Sequence, residues 1–496
     1  MKKNNSQKKV IVIGAGPGGL SSAMILAHQG YEVVVYEKQA QVGGRTSALK
    51  AGDFIFEVGP TFVMLPQAFE EIFAAAGRKV GDYLEMKRLD TMYRLHFDDG
   101  RNFLVHSDKE KLKQEIIRLF PGDENGYDRW YKAENRKFNL MYPCLKVPYI
   151  RWYHYFRPKL LKALPFMQNF TSLYKVLSKY FKHEDMRIVM TFQAKYLGMS
   201  PWNCPGSFSI LSFMEHAFGI YHPIGGVHKI TEAMAKIVEE ENGRVVLNKP
   251  VTQILIEKGK AVGVQFADGS VDRSDYVIMN ADFAAGMTQL IPEAARGKWT
   301  DAELKKRSYS CSTFMLYLGL DTKYDIPHHN IFFAKDYHRN VNEISNKVLP
   351  DDPSFYIQNA SVTDPTLAPA GKSTIYVLVP VPNLDAPIDW DAIKKEYRDK
   401  VIKKIAEKTE MHDIEKHIEV ERVITPKDWE QKIDVYKGAV FNLSHTVGQM
   451  LYLRPHNKFE DIPGLYIVGG GTHPGSGLPT IIESGRIAAD LISKSV

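Results

Sequence analysis

Cysteine and long apolar runs are both scarce in this sequence. The 496 residues include three widely spaced cysteines, Cys144, Cys204 and Cys311, and no C-x-x-C pair. This usage favours a reducing compartment and argues against disulfides or a zinc site. No stretch of about 18 uninterrupted apolar residues occurs, so we expect no transmembrane helix. We also expect no signal peptide, because glycines interrupt the apolar run that follows the basic tail Met1–Lys9.

Strong net charge and the common hydrolase motif are missing as well. The net charge of +6 is modest for this length and does not indicate a nucleic-acid partner. The 16 histidines have no carboxylate or cysteine companions at ligand spacing, so we predict no metal site. No G-x-S-x-G elbow appears, and a nucleophilic triad is therefore not expected.

An apolar run, a G-x-G-x-x-G motif, a helical pattern and a second apolar run follow one another over residues 10–37. The motif glycines are Gly14, Gly16 and Gly19, which permit a tight turn and place a pyrophosphate on the helix N-terminus. Glu37 ends the second run, where a carboxylate accepts hydrogen bonds from ribose hydroxyls. The sequence therefore predicts an adenine dinucleotide, either FAD or NAD.

Strand patterns return in the middle and at the end of the chain. β-type alternation occupies residues 243–280 with a hairpin signal at Asp268-Gly269, and a strand ending in glycines precedes a helical pattern over Ile481–Ser493. This order predicts a nucleotide-binding sheet built from both chain ends and the middle. The predicted segments are 1–100, 226–290 and 441–496 for the nucleotide-binding domain, 101–225 for a helical insertion and 291–440 for a β-rich substrate domain.

Two further glycine-rich elements carry a family resemblance. Gly43-Gly44-Arg45 and the later Gly59-Pro60-Thr61 resemble the flavin-binding signature of the amine oxidase and phytoene desaturase superfamily. The run from Gly469 to Pro479, with Thr472-His473-Pro474, resembles the C-terminal signature of bacterial carotenoid (phytoene-type) desaturases.

The resemblance covers essentially the whole chain and implies FAD as the cofactor. The implied fold is α/β, with a Rossmann-type FAD-binding domain, a β-rich substrate domain and a helical membrane-associating insertion. The implied FAD-binding residues are Gly14, Gly16, Pro17, Gly18, Gly19, Glu37, Lys38, Gly43, Gly44, Arg45, Gly59, Pro60, Thr61, Val251, Gly469, Gly470, Leu478 and Pro479.

Within this family the sequence is most similar to desaturases of C30 (diapophytoene-type) carotenoids. The resemblance implies an FAD-dependent desaturase that removes a hydride and a proton from adjacent carbons of a lipophilic polyene. The alternatives are a terminal-methyl carotenoid oxygenase, a C40 phytoene desaturase, an amine or porphyrinogen oxidase, and a non-redox carotenoid isomerase. The likeness to C30 desaturases is carried by the segments Ser308–Thr313, Tyr317–Asp321, His329–Phe333 and Asp352–Tyr356.

The proton acceptor and the final electron acceptor are less defined. His473 and Glu483 lie in the flavin-facing C-terminal segment and are the candidate catalytic residues. No second dinucleotide fingerprint is found, which favours reoxidation of the flavin by oxygen or a membrane quinone.

A basic, aromatic window extends from Lys146 to Lys182. It contains eight Lys or Arg, ten aromatic residues and no Asp or Glu. If Phe166–Lys182 is helical, its aromatic residues share one face and its lysines the other, which is typical of a helix on an anionic membrane surface. The alternative is an ordinary helix with its apolar face on the core. Because a polyene is insoluble in water, we expect peripheral attachment near residues 149–182 on the cytoplasmic side of the membrane.

Overall fold

The structure is a computed structural model, and it describes residues 8–495. Most of the predicted basic tail, residues 1–7, lies outside this range. The strands are β1 Lys9–Ile13, β2 Glu32–Tyr36, β3 Ala48–Ala51, β4 Phe54–Glu57, β5 Val63–Met64, β6 Met86–Arg88, β7 Thr91–His96, β8 Asn102–His106, β9 Ile220–Pro223, β10 Arg244–Val246, β11 Val251–Glu257, β12 Lys260–Phe266, β13 Val271–Arg273, β14 Tyr276–Met279, β15 Ser312–Leu320, β16 His329–Phe332, β17 Phe355–Asn359, β18 Ser373–Val381, β19 Ile418–Ile424 and β20 Leu465–Ile467.

The helices are α1 Pro17–His28, α2 Pro66–Ala75, α3 Lys109–Leu119, α4 Glu124–Leu145, α5 Pro158–Met167, α6 Leu173–Leu177, α7 Glu184–Val189, α8 Ile210–Phe218, α9 Lys229–Glu240, α10 Phe283–Leu290, α11 Asp301–Lys306, α12 Tyr337–Ser345, α13 Trp390–Lys408, α14 Pro426–Ile433 and α15 Leu478–Ser493.

A five-stranded parallel sheet in the order β10-β2-β1-β14-β20 forms the centre of the nucleotide-binding domain. Its strands are short and almost wholly apolar, as expected for parallel strands covered on both faces. They come from both chain ends and from residues 244–279, so the middle and both ends of the chain contribute strands, as the sequence predicts. The hairpin predicted at Asp268-Gly269 joins β12 to β13.

A seven-stranded sheet in the order β19-β15-β18-β17-β16-β7-β8 forms the second domain. Strands β7 and β8 lie on either side of the domain boundary predicted at residue 100, yet both belong to this sheet, since β7 pairs with β16 in parallel. That long-range pairing leaves no local signal in the sequence. The exact domain boundaries remain predictions.

The two faces of the seven-stranded sheet are different. One face carries aliphatic residues such as Leu316 and Val377 and packs on α13 through Trp390 and Tyr397. The alternate residues of the same strands point to the opposite face, which is rich in tyrosine. The tyrosines of this face are Tyr93, Tyr317, Tyr356 and Tyr376.

The single helix predicted over Phe166–Lys182 is wrong. Helix α5 ends at Met167, Gln168 adopts a left-handed conformation with φ of 51°, and α6 begins only after Ser172. The Ser172 hydroxyl accepts a hydrogen bond from the Lys175 amide at 3.3 Å and so caps the N-terminus of α6. Serine is more favourable as an N-cap than in the interior of a helix. The periodic pattern therefore spans two helices and a turn.

The buried and exposed residues of this window also differ from the prediction. Leu173, Leu177 and Phe181 are buried in the core, so the ordinary alternative holds for this half. Phe170, predicted on the same face, is 95% exposed. Among residues 8–495, the helices are all too short or too polar to cross a bilayer.

Helices α1 and α15, from opposite ends of the described chain, pack side by side with almost no space between them. A Cβ on Gly485 would lie 2.3 Å from the carbonyl oxygen of Gly18. The Ser21 hydroxyl donates to the carbonyl of Ile482 at 2.7 Å. Glycine is therefore required at 485 to bring the last helix against the first turn of α1.

We expect Gly485→Ala to lower the free energy of unfolding by about 1–3 kcal/mol, because the new methyl group forces the two helices apart. Thermal unfolding followed by circular dichroism measures the effect. Gly81→Ala is the matched control, since a Cβ there meets nothing within 4 Å. Equal melting temperatures for the two variants would contradict the close approach.

Candidate active site

The predicted glycine turn joins β1 to α1 and contacts β14. Gly14 has a φ of 93°, and its carbonyl accepts a hydrogen bond from the Asn280 side chain at 3.0 Å. A Cβ on Gly16 would lie 2.8 Å from that amide nitrogen, and one on Gly19 would lie 2.5 Å from the Gly14 carbonyl. These positions accept only glycine, so main-chain atoms line the turn.

The Gly43-Gly44-Arg45 loop lies directly against this turn. The Gly43 amide donates to the carbonyl of Ala15 at 2.8 Å, and both glycines have positive φ. The nearest atom to a Cβ on Gly44 would be the Gly16 Cα, 3.9 Å away. The two glycine loops therefore face each other without a side chain between them.

Glu37 is buried directly after β2. Its carboxylate accepts hydrogen bonds from the amides of Ala15 at 2.8 Å and Gln39 at 2.9 Å, which fix it beside the glycine turn. The Lys249 amide donates to the main-chain carbonyl of Glu37 at 2.9 Å. Val251 follows two residues later at the start of β11 and is half-buried. Glu37 and Val251, both predicted to bind FAD, thus lie on adjacent segments.

Arg45 and Lys38 have protein partners in this structure. Arg45 donates to the Val440 carbonyl at 2.8 Å and lies 3.9 Å from the Asp282 carboxylate. Burial raises the pKa of Asp282 to about 6, against the opposing effect of Arg45. Lys38 is exposed, and its ammonium pairs with Asp434.

The C-terminal segment closes the other side. Gly469 has a φ of 107°, and its amide donates to the Ser484 hydroxyl at 2.9 Å. A Cβ on Gly18 would lie 3.1 Å from that amide. The Gly470 carbonyl accepts a hydrogen bond from the buried Arg454 at 2.6 Å. Gly469 therefore lies against the first turn of α1, and Arg454 fixes the neighbouring Gly470.

Two helix N-termini meet here without caps of their own. Pro17 begins α1 after Gly16, and Leu478-Pro479 begin α15 after Gly477. Neither N-cap makes a side-chain hydrogen bond, and neither first turn carries an acidic residue. The positive ends of both helices are thus free to bind anionic groups. These residues fit the pyrophosphate of FAD, with the carboxylate of Glu37 for its ribose.

The segment Val58–Thr61 is fixed to the tyrosine-rich face of the seven-stranded sheet by three hydroxyl groups. Tyr317 donates to the Val58 carbonyl at 2.7 Å, Tyr376 to the Gly59 carbonyl at 2.8 Å, and Tyr356 to the Thr61 hydroxyl at 2.9 Å. The flavin-facing segment predicted at Gly59-Pro60-Thr61 therefore joins the two domains.

Aromatic rings surround the next residue, Phe62. Its ring stacks on His329 with the centroids 4.2 Å apart, and it contacts Tyr196 at 5.2 Å and Tyr356 at 5.4 Å. Behind them, Glu215 accepts hydrogen bonds from Tyr93 at 2.9 Å and Gln193 at 2.8 Å. Burial raises the pKa of Glu215 to about 7.

The structure places the two candidate catalytic residues away from these rings. The buried His473 packs edge-on against Tyr149, 5.0 Å between centroids, and burial lowers its pKa to about 3. Glu483 lies on α15 and forms an ion pair with Arg486. Both ring nitrogens of His473 lack a hydrogen-bond partner among the described residues, and the role of proton acceptor for either residue remains a prediction.

Several residues of the site carry no motif and were missed. Asn280 and Asp282 follow the end of β14. Two polar residues directly after an apolar strand are the feature of the sequence that could have identified them. Arg454 donates to four main-chain carbonyls, those of Leu443, Gln449, Gly470 and Thr472. The sequence shows no trace of this network, because its acceptors lie in separate loops.

The fold and the paired glycine loops define a FAD-dependent oxidoreductase with a nucleotide-binding domain and a substrate domain. Residues 17–493 match the family described as flavin containing amine oxidoreductase, and the chain belongs to this family. The predicted α/β fold with a Rossmann-type FAD-binding domain and FAD as cofactor are thereby confirmed, while membrane association of the helical insertion stays a prediction.

Several relatives are carotenoid desaturases. A 4,4'-diapophytoene desaturase (4,4'-diapolycopene-forming) of Methylomonas sp is 48% identical over 98% of this chain and 95% of its own. An all-trans-zeta-carotene desaturase of Myxococcus xanthus is 39% identical over 99% and 94%. A 4,4'-diapophytoene desaturase (4,4'-diaponeurosporene-forming) of Staphylococcus aureus is 31% identical over 98% and 99%. The resemblance to carotenoid desaturases is confirmed.

Solved structures agree on the fold. Putrescine oxidase superposes with a TM-score of 0.63 over 98% of this chain and 99% of its own, at 15% identity. An oxidoreductase from Methanosarcina mazei gives 0.65 over 98% and 100%, at 18% identity. At these identities the likeness shows the fold alone.

We expect Glu37→Ala to lose most of its bound FAD, because the substitution removes the carboxylate that is predicted to bind the ribose and that accepts the Ala15 hydrogen bond in the glycine turn. The ratio of flavin absorbance to protein after gel filtration measures retention. Glu32→Ala is the control, since this glutamate is exposed at the start of the same strand. Full flavin content in Glu37→Ala would contradict the ribose assignment.

Proposed function

We propose that this enzyme introduces conjugated double bonds into a C30, diapophytoene-type carotenoid. The identity to the Methylomonas 4,4'-diapophytoene desaturase across nearly the whole of both chains supports this substrate class. The observation that carries the proposal is the aromatic face beside Val58–Thr61, built from Phe62, the sheet tyrosines and His329.

This face suits an uncharged hydrocarbon. Burial raises the pKa of Tyr317, Tyr356 and Tyr376, so their hydroxyls stay neutral, and all three are used in holding Val58–Thr61. Burial lowers the pKa of His329 well below its usual range, which keeps the ring neutral. Aromatic rings and neutral groups bind a polyene by contact area and shape.

The residues of the chain bind, orient and exclude water. The two glycine loops and both helix N-termini would hold the pyrophosphate of FAD, and Glu37 its ribose. When bound, FAD supplies a hydride acceptor. Tyr317, Tyr356 and Tyr376 fix the segment Val58–Thr61 to the sheet. A polyene on the aromatic face would therefore lie at a fixed distance from that segment.

Expression in cells that accumulate 4,4'-diapophytoene tests the proposal. We expect coloured products with absorption at longer wavelength and a loss of two hydrogens per new double bond by mass spectrometry. The Glu37→Ala variant is the control for flavin dependence. An unchanged hydrocarbon would contradict desaturation; added carbonyl mass would indicate a terminal oxygenase. Equal mass with altered geometry would indicate an isomerase, and conversion of C40 phytoene alone a C40 desaturase.

We also propose that the enzyme attaches to the cytoplasmic side of a membrane through one apolar surface. Trp152 and Phe156 are each 64% exposed, Phe170 is 95% exposed, and Leu161 and Leu164 are about half exposed. We name this group, with Tyr153, the exposed apolar surface. Large exposed apolar side chains in one stretch are typical of a membrane or protein contact.

Positively charged residues lie next to the exposed apolar surface in the sequence. Arg151, Lys159 and Lys162 are exposed within the same stretch, and no acidic residue occurs from 146 to 182. Aromatic residues flanked by Lys and Arg suit the interface of an anionic leaflet. A membrane-bound position gives access to a substrate that does not dissolve in water.

We expect a triple variant, Trp152→Ser, Phe156→Ser and Phe170→Ser, to bind anionic liposomes roughly tenfold more weakly or worse, because each buried aromatic contributes about 1.5–3 kcal/mol. Co-sedimentation with phosphatidylglycerol vesicles measures it. The control replaces three similarly exposed valines elsewhere by serine: Val271, Val348 and Val362, which are 52%, 51% and 54% exposed. Equal loss in both variants would contradict this surface as the attachment site.

A further inference from the structure

One buried histidine on the aromatic face has an unused ring nitrogen. His329 begins β16, is completely buried and stacks on Phe62. Its Nδ1 lies 2.6 Å from the Tyr356 hydroxyl, while its Nε2 has no hydrogen-bond partner among the described residues. Other buried histidines, His473 among them, also have ring nitrogens without a partner, but His329 combines a free nitrogen with a place among the rings around Phe62.

The hydrogen bonds of Tyr356 determine which nitrogen carries the proton. The Tyr356 hydroxyl has one hydrogen, and it donates this hydrogen to the Thr61 hydroxyl at 2.9 Å. The bond to His329 must then use Nδ1–H as the donor and the tyrosine oxygen as the acceptor. The lone pair of a neutral His329 is consequently on Nε2, the nitrogen without a partner.

The groups around His329 keep it neutral. Apart from Tyr356, the titratable side chains that face it are His328, with ring centroids 4.3 Å away, and His222, which lies beyond His328. Burial and the proximity of His222 both lower the pKa of His329. A neutral imidazole with a free lone pair is a proton acceptor.

We propose that Nε2 of His329 is the proton acceptor of the desaturation, with Tyr356 and Thr61 as positioning residues. This inference rests on the proposed function. Bound FAD would supply the acceptor for one hydrogen of the polyene, which would leave with its bonding pair as hydride. The adjacent carbon then gives a proton to Nε2, and the electron pair of that C–H bond forms the new C=C bond. His329, now an imidazolium, releases the proton to solvent before the next step.

A strong base is not required for this proton transfer. Loss of hydride beside a conjugated chain leaves an allylic cation, whose adjacent C–H is strongly acidic. An imidazole with a lowered pKa is therefore sufficient, and it gives the proton up again readily. The position of His329 next to the rings that are proposed to bind the polyene supplies the contact that His473 and Glu483 lack.

His328 provides a matched control. It is equally buried and adjacent in the chain, but both of its ring nitrogens have partners: Nδ1 lies 2.8 Å from the Thr363 hydroxyl and Nε2 lies 3.0 Å from the Gln358 amide. It has no free lone pair to offer. His328→Gln removes the same chemical group from the same strand end.

The first test needs no activity. ¹⁵N NMR of histidine-labelled protein shows which nitrogen of a ring is protonated, and the resonance that disappears in His329→Gln belongs to His329. We expect it to report Nδ1–H with unprotonated Nε2, and we expect Tyr356→Phe to abolish this preference. A protonated Nε2 in the wild-type protein would overturn the inference.

The second test compares single turnovers of protein loaded with FAD. We expect His329→Gln to retain wild-type flavin content and bind diapophytoene in liposomes, yet to desaturate it roughly 10²- to 10⁴-fold more slowly. His328→Gln should remain near the wild-type rate, and added imidazole should partly restore His329→Ala. If flavin-loaded His329→Gln desaturates diapophytoene at the wild-type rate, the inference about His329 is overturned, but the proposed function is not. A wild-type protein that leaves diapophytoene unchanged would overturn the proposed function.

Discussion

The contact between Val58–Thr61 and three tyrosine hydroxyls is the constraint on which the arrangement of the two domains depends. This segment leaves the nucleotide-binding domain, while Tyr317, Tyr356 and Tyr376 belong to strands of the substrate domain. All three hydroxyls are buried, so losing one partner leaves an unsatisfied polar group in the core. The cofactor segment and the substrate face are therefore held in one fixed relation.

The same architecture is found in a solved structure of very different sequence. Putrescine oxidase shares the architecture over nearly its whole length at 15% identity. In this chain the side chains next to Thr61 are rings and neutral groups, and their hydroxyls bond to the protein itself. The residues proposed to bind the polyene therefore belong to the seven-stranded sheet, apart from the five-stranded nucleotide-binding sheet.

Local signals predicted the nucleotide-binding half well, and long-range contacts limited the rest. The glycine turn, Glu37 and the Gly43-Gly44 loop are each defined within a few residues, so their places in the fold could be predicted from the sequence, and their roles in FAD binding stay predictions. The tyrosine face unites strands far apart in the chain, and no spacing rule connects Tyr317 with Tyr356. The single helix predicted over residues 166–182 was wrong, because the helical spacing of apolar residues gives no sign of the turn between Met167 and Ser172.

Close packing of α1 against α15 has a consequence for biosynthesis. Gly18 lies near the start of the chain, and Gly469 and Gly485, which contact it, lie more than 450 residues later. While the ribosome is still making the central segments, a nascent chain has only half of its nucleotide-binding cradle. The cradle is therefore complete only once residues 469–485 have been made. Strand β20 lies just before them and completes the central sheet, so one stretch of chain completes both the sheet and the cradle.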